Sequence, residues 1–227
     1  MIVGNGQLAQ VFIESDKGDS VIFASGVPNS NCTDTKSFER EKSLLVETLK
    51  NSSEKKFVYF SSCVLSAPDY PKNAYYNHKE NMEELIKKYS NNYYIFRMPQ
   101  LFGKLKHHKT LINFLYESIL EERKITLYDQ AYRYVIEIED VKSVVLHYLK
   151  LSKACLVVDI GNPYRYHVLE IVEILEELLG KKADYCLVQK SDGYLLDFKE
   201  MLTFTQKYNL KIDFSKDYLF KKLQNHI

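Results

Sequence analysis

Two residues four apart, Tyr75 and Lys79, carry the clearest chemical signal in this chain, and a serine pair, Ser61-Ser62, precedes them. On a helix that spacing puts both side chains on one face. A phenol ordinarily titrates near pH ~10, too high for a proton shuttle at neutral pH. An ammonium held beside it favours the phenolate and draws that value down. A serine hydroxyl arriving from a strand end then hydrogen-bonds a carbonyl or alcohol, and the three together form a proton relay for oxidising or reducing a C–OH. Tyr-x-x-x-Lys is weak by itself in a chain with 18 tyrosines. Its weight depends on the elements that must position it.

Those elements alternate. Met1-Ile2-Val3 is a short apolar strand entering Gly4-Asn5-Gly6-Gln7-Leu8-Ala9, a G-x-G-x-x-A turn that opens an amphipathic helix with Leu8, Val11 and Phe12 on its inner face. Strand, glycine turn and helix in that order are what a dinucleotide fingerprint requires. Gly4 allows the tight turn, Gly6 lets backbone N–H groups approach a pyrophosphate, and Ala9 lets helix and strand pack closely. Val21 to Gly26 is the next strand, and no acid stands at its end to hold an adenosine ribose. A helix over 35–49 with Asp34 or Thr35 as N-cap, a strand Phe57-Val58-Tyr59-Phe60, the Tyr75 helix to about Tyr89, and a strand Tyr93 to Arg97 follow. This alternation predicts a doubly wound parallel α/β sheet of Rossmann type, with ligands beyond the C-terminal strand ends. Gly4 to Gly6, Ser25 to Asn29, Ser62 and Pro99 all fall at that edge.

Further on, Thr110 to Glu122 reads as a helix, Lys124 to Leu127 and Tyr132 to Ile138 as strands, and Glu139 to Leu151 as a helix. Leu156 to Ile160 reads as a strand, and Val168 to Leu179 as a helix closed by Gly180. The tail from Tyr185 is mixed. We expect a dinucleotide-binding core over 1–105 and substrate-side segments over 106–227 in the same globule, forming a small C-terminal α+β part.

The 227 residues suit one large domain, and a net charge of +1 gives no field that points to nucleic acid or an anionic membrane. The four cysteines lack a C-x-x-C pair and read as reduced thiols. No apolar run reaches transmembrane length, and the chain opens on a strand without a signal peptide, so the expected setting is the cytoplasm. His107-His108 has no third ligand at metal spacing, and we expect no metal. His78 is expected to turn from the Tyr75 face toward solvent.

Taken in order, the glycine turn, Val58-Tyr59-Phe60-Ser61-Ser62, Tyr75-x-x-x-Lys79, Arg97-Met98-Pro99-Gln100-Leu101-Phe102-Gly103, Arg133 to Val141 and Asp159-Ile160-Gly161-Asn162 resemble an extended short-chain dehydrogenase/reductase of the sugar-nucleotide epimerase, dehydratase and reductase group. The chain departs from it in a shorter glycine turn and in one missing strand-helix-strand unit, the one that cradles the adenine; Val21 to Asn31 resembles the family's fourth strand. The resemblance implies NAD or NADP as cofactor, a nucleotide-linked sugar as substrate, and glycan or polysaccharide precursor synthesis as setting. It implies Tyr75 as general acid/base, Lys79 lowering its pKa and binding the nicotinamide ribose, and Ser62 orienting the substrate oxygen. Gly4, Asn5, Gly6, Gln7, Leu8, Ala24, Ser25, Gly26, Lys79 and Pro99 would line the cofactor, and Ser62, Cys63, Tyr75, Gln100 and Arg133 the substrate. Asp140 is as readily structural as functional. The helices around Phe38 to Leu49 and Met82 to Ile86 resemble a dimer-forming pair, although the same apolar faces can cover the sheet.

The reading that follows is a keto-sugar reductase or epimerase; dehydratase chemistry lacks its acid, since Cys63 and Val64 follow the serines. The alternative is a non-catalytic module of the same fold that binds a nucleotide or sugar nucleotide.

Overall fold

The computed structural model describes residues 1–15, 18–105 and 110–227. Lys17, expected in a turn, and the pair His107-His108 lie outside the described residues. The elements, in chain order, are β1 (Ile2–Val3), α1 (Gln7–Gln10), β2 (Ser20–Phe23), α2 (Thr35–Lys50), β3 (Lys56–Ser62), α3 (Ala74–Tyr89), β4 (Tyr93–Met98) and β5 (Gln100–Phe102). They continue with α4 (Leu111–Leu120), β6 (Ile125–Arg133), β7 (Val135–Glu137), α5 (Ile138–Leu151), β8 (Leu156–Asp159), β9 (Tyr166–His167), α6 (Val168–Leu179), β10 (Tyr185–Asp192), α7 (Lys199–Lys207) and α8 (Tyr218–Leu223). Two single-turn 3-10 segments, Ile13–Ser15 and Cys63–Ser66, lie between them.

The chain divides into two compact units that interleave: residues 1–98 with 142–160, and 99–141 with 161–227. This corrects the expected division at 105. The late pair α5 and β8 returns to the first unit because β8 pairs with β4 along its whole length, from Tyr94↔Leu156 to Arg97↔Asp159.

In the first unit the described residues form a five-stranded parallel sheet, ordered β1-β2-β3-β4-β8. It is a Rossmann-like α/β sheet with helices on both faces, shortened as the sequence suggests. Residues 4–19 alone connect β1 to its neighbour β2, so no strand stands on the far side of β1 among the described residues and the strand order runs in one direction. The α1 helix is one turn long. Ala9 and Phe12 are buried as expected, but Val11 already caps the turn. The expected longer helix does not fit in so short a connection.

The pleat sorts the side chains. Val21, Phe23, Phe57, Tyr59 and Ile95 point to the face covered by α2 and α3, where Leu45, Leu49, Met82 and Ile86 meet them. Phe60 points the other way, to Phe12 at 5.8 Å and Phe96 at 6.4 Å between ring centroids. The apolar faces of α2 and α3 that suggested a dimer are thus the faces that cover the sheet. Asp34 caps α2 through the N–H groups of Lys36 and Ser37, and Asn73 caps α3 through that of Tyr76. The Arg97 guanidinium at the end of β4 grips the Glu83 carboxylate of α3 with two bonds of 2.9 and 2.7 Å and reaches Ser66 Oγ at 3.0 Å. That fork fixes where α3 lies over the strand ends.

The second unit has its own core, with Ile112, Leu115, Ile171, Leu175, Tyr166 and Leu219 at its centre. Its described strands make a three-stranded sheet, β10-β6-β9, and a two-stranded one, β5-β7. Gly180 takes φ +63° at the end of α6, the left-handed cap expected of it.

Gly4 has φ +129°, and a Cβ there would stand 2.5 Å from the Ala24 carbonyl oxygen, whereas a Cβ on Gly6 would meet nothing within 4 Å. Thermal unfolding should therefore show Gly4→Ala destabilised by roughly 1–3 kcal/mol, from strain at a left-handed position. Gly6→Ala should unfold within about 1 kcal/mol of the wild type.

Candidate functional site

The face that α3 turns toward β3 and α2 carries four polar groups in one buried cluster. Glu41 of α2 is 0 % exposed and Lys79 of α3 3 %. The Lys79 ammonium donates to Glu41 Oε1 at 3.0 Å and to the Tyr59 hydroxyl at 3.1 Å. Tyr59, on β3, donates its own hydroxyl proton to Glu41 Oε1 at 2.7 Å. The second carboxylate oxygen accepts the Val27 N–H at 2.6 Å and lies 3.0 Å from His78 Nε2. His78 is further held by the Phe38 ring, stacked on it at 4.6 Å. The expectation that His78 faces solvent is corrected here. Covered by the sheet on one side and α2 on another, α3 keeps both His78 and Lys79 inside.

This carboxylate has every acceptor direction filled, which is the condition for burying a charge. Burial alone would raise its pKa. The Lys79 ammonium and the bonds from His78, Tyr59 and the Val27 N–H outweigh burial and hold it at about 2. The pair also sits against the end of β2: a Cβ on Gly26 would come within 2.6 Å of Lys79 Nζ and 3.1 Å of Glu41 Oε1. The acid absent from the end of β2 in the sequence thus reaches the loop after that strand from α2.

Tyr75 lies one turn before Lys79 and is also buried. Lys79 Nζ is 5.8 Å from its ring centroid, over the ring face, and its bonds go elsewhere. Burial, with smaller contributions from Tyr76, Glu41 and Cys63, pushes the Tyr75 phenol above its ordinary value. This direction is opposite to the lowering expected from Lys79, whose ammonium is paired with Glu41. Among the described residues the Tyr75 hydroxyl has no hydrogen-bond partner, and it is not one of the sealed-off polar atoms.

The serines separate by pleat. Ser61, opposite Arg97 in the register, shares the face of Tyr59, and its buried hydroxyl has no partner among the described residues. Ser62, opposite Met98, shares the face of Phe60. Cys63 begins the 3-10 turn after β3 and is one of the groups acting on Tyr75. So β3, its following turn and α3 bring Tyr59, Ser61, Cys63, Tyr75 and Lys79 to one side, and Ser62 to the other.

At the other strand ends of the first unit, Gly4, Asn5 and Gly6 are exposed and Gln7, Leu8, Ala24, Ser25 and Gly26 are half-buried. The Arg40 guanidinium, exposed, donates to Ser25 O at 3.1 Å and Ser25 Oγ at 3.2 Å. Pro99, Gln100 and Arg133 lie in the second unit. Pro99 packs by Gly161, and the Gln100 N–H bonds Tyr134 O at 3.1 Å. Arg133 is held by the Asp192 carboxylate, the Asp192 carbonyl at 2.9 Å and the Tyr132 carbonyl at 2.8 Å. Asp140 receives the Tyr218 hydroxyl at 2.6 Å and the Lys222 ammonium at 2.9 Å, and so ties α8 down.

Sequence reasoning missed Glu41. Its signal is a carboxylate at helical spacing among Phe38, Leu45 and Leu49, on the face that must be buried.

No protein-family model matches the chain, and no curated protein matches it in sequence. Solved structures do. The dTDP-glucose 4,6-dehydratase of Bacillus anthracis, in complex with NAD, aligns over 98 % of this chain and 75 % of its own, with TM-score 0.72 and 18 % identity. The UDP-glucuronic acid 4-epimerase of Bacillus cereus, in complex with UDP-glucuronic acid and NAD, aligns over 98 % and 78 %, with TM-score 0.72 and 20 % identity. The UDP-glucose 4-epimerase of Thermus thermophilus, in complex with NAD, aligns over 96 % and 80 %, with TM-score 0.74 and 14 % identity. At such identities the likeness is one of fold, and the resemblance read from the motifs holds at that level. No helix of the described residues is long and apolar enough to cross a membrane.

A carboxyl held at about 2 in the folded chain, against an ordinary 4.5, contributes stability that is complete above the ordinary value and is lost as pH falls from 4.5 through 2. Denaturant unfolding at pH 7 and near pH ~3 should show Glu41→Gln losing less stability on acidification than the wild type, a difference on the order of 2 kcal/mol.

Proposed function

We propose that the chain is a nicotinamide-dinucleotide-dependent enzyme acting on a nucleotide-linked sugar, as a keto-sugar reductase or an epimerase. The observation that carries this is the Tyr75 hydroxyl: in a cluster where Tyr59, Lys79 and His78 are all bonded to Glu41, it alone is left without a protein partner among these groups. The fold adds weight, because the structures it matches include sugar-nucleotide epimerases and a dehydratase in complex with NAD.

The residues present fit a dinucleotide on its diphosphate and nicotinamide sides. Open space lies where a Gly6 Cβ would stand, at the C-terminal strand edge where ligands of such sheets bind. Gly4, Asn5, Gly6, Gln7 and Leu8 would hold the diphosphate through backbone N–H groups, and Ala24, Ser25 and Gly26 would flank it. Lys79, with one N–H left after its bonds to Glu41 and Tyr59, would take a ribose hydroxyl. When bound, the dinucleotide would supply or accept hydride at the carbon of the reacting C–O group. Tyr75 would exchange the proton with the oxygen of that group, and Cys63, which the turn after β3 brings to the same side, would orient the oxygen, a part that Ser62 on the opposite face could take only from across the strand. Pro99 for the cofactor, and Gln100 and Arg133 for the substrate, are further candidates, named from the family resemblance. Synthesis of glycan or polysaccharide precursors in the cytoplasm is the corresponding setting.

The Lys79–Glu41 pair favours a second reading. A lysine already neutralised by a buried carboxylate suits a fold that binds a nucleotide or sugar nucleotide without turning it over. Kinetics on Tyr75→Phe separate the two. The enzyme reading expects turnover of keto-sugar nucleotides to fall by about 100-fold or more, with ligand affinity within a few-fold of the wild type. Unchanged turnover in Tyr75→Phe would remove the proton relay.

A further inference from the structure

The Tyr75 phenol is faced from four directions. From α3 itself come Tyr76, whose ring meets it edge-on at 5.2 Å, and Lys79, 5.8 Å from the ring centroid. From β3 comes Tyr59, from the turn after β3 Cys63, and from α2 Glu41, which is itself bonded to His78. Lys79 and Glu41 are the ion pair in this set, 3.0 Å apart and out of contact with water. An ammonium at that distance would favour the phenolate; a carboxylate beside it opposes the effect. Burial is the largest influence on the phenol and the Glu41 carboxylate acts in the same direction, so the pull of the ammonium is opposed on both counts.

We propose that Glu41 is a positioning residue for Tyr75: by holding the Lys79 ammonium in a buried ion pair it offsets the pull of that ammonium toward the phenolate, so that this hydroxyl enters the reaction as a proton donor. The inference deepens the enzyme reading and rests on it for the use made of the proton. A protonated phenol can give a proton but not take one. It therefore suits the direction in which a ketone becomes an alcohol. The Tyr75 O–H bond breaks, the proton goes to the oxygen that becomes the hydroxyl, and the phenolate is reprotonated from solvent. The carbon gains its hydride from a reduced nicotinamide dinucleotide, which is oxidised.

The geometry around Glu41 supports the assignment. Its oxygens are held from β3, from the loop after β2 and from α3, so the carboxylate cannot turn away from Lys79 without breaking bonds to Tyr59, Val27 and His78. It is fixed more firmly than a surface partner would be, and the neutralisation of Lys79 is built into the packing of α2 against α3.

The test is a titration that needs no substrate. Protein labelled with 13Cζ-tyrosine is followed by NMR from neutral to alkaline pH, with Tyr75→Phe identifying the Tyr75 signal. In the wild type this signal should stay that of a phenol beyond its ordinary value of 10.0. In Glu41→Gln, which keeps the shape of the side chain, its midpoint should fall by about one pH unit or more. In Glu41→Gln combined with Lys79→Met the pair is neutral again, and the midpoint should return to the wild-type position. A Glu41→Gln midpoint equal to the wild type overturns the proposal, as does a wild-type Tyr75 that ionises below its ordinary value. If the single variant does not fold, the double variant still decides: a midpoint displaced from the wild type would show that the carboxylate does not offset the ammonium. Failure of the enzyme reading would appear elsewhere, as absence of turnover, and would leave this titration unchanged.

Discussion

A single buried carboxylate organises the first unit. Glu41 accepts bonds from the loop after β2, from β3 and from α3, while belonging to α2 itself. Four separate pieces of chain are thereby fixed to two oxygen atoms. Leaving any of the donors without the acid, or the acid without Lys79, would strand a polar group in a region closed to water, and a stranded charge is far costlier than a lost contact. The packing of Leu45, Leu49, Met82 and Ile86 on the sheet sets the distance between α2 and α3; the carboxylate sets their register.

The same interaction determines what the tyrosine–lysine pair can do. Helical spacing brings Tyr75 and Lys79 to one face, as the sequence alone indicates. Spacing says nothing of where the ammonium directs its hydrogen bonds, and here they go to Glu41 and Tyr59. A motif read as an activated phenol becomes a phenol held in its acid form beside a neutral pair. The sheet acts in the same sense. With only residues 4–19 between β1 and β2, no strand stands beyond β1 among the described residues, and a dinucleotide would rest on the glycine turn and the strand ends without an adenine-side unit.

The long, strongly patterned elements were legible. The α3 and α6 helices and the strands β3, β4 and β8 follow from local periodicity, and so do the Gly180 cap and the choice of Asp34 or Thr35 as the cap of α2, which falls on Asp34. The shortening implied by the resemblance has its counterpart in the sheet, where β1 lies directly beside β2. What failed depended on contacts distant in sequence. Residues Lys124 to Leu127 and Tyr132-Arg133 looked like separate pieces, but β6 runs unbroken because β10 pairs alongside it, some sixty residues later. The interleaving of the two units depends on β8 finding β4. The local pattern of α3 does not show that His78 is covered, because its outer neighbour, Phe38 of α2, lies forty residues earlier. Glu41 was visible only as an anomaly, a charge on an apolar stripe, and its partners appear only when the helices meet. The pair Ser61-Ser62 does not reveal by itself which hydroxyl faces Tyr75; the pleat turns the two in opposite directions.

Hydride chemistry here requires a shortened sheet that still holds a dinucleotide. Calorimetric titration of the purified chain with NADH and with NADPH tests that most directly. Saturable binding of one of the two in the micromolar range, weakened when Gly6 is replaced by a bulky residue that leaves the fold intact, is the result this account predicts. No heat of binding from either at millimolar concentration would contradict it, and would leave a fold that takes sugar nucleotides, if anything, without redox chemistry.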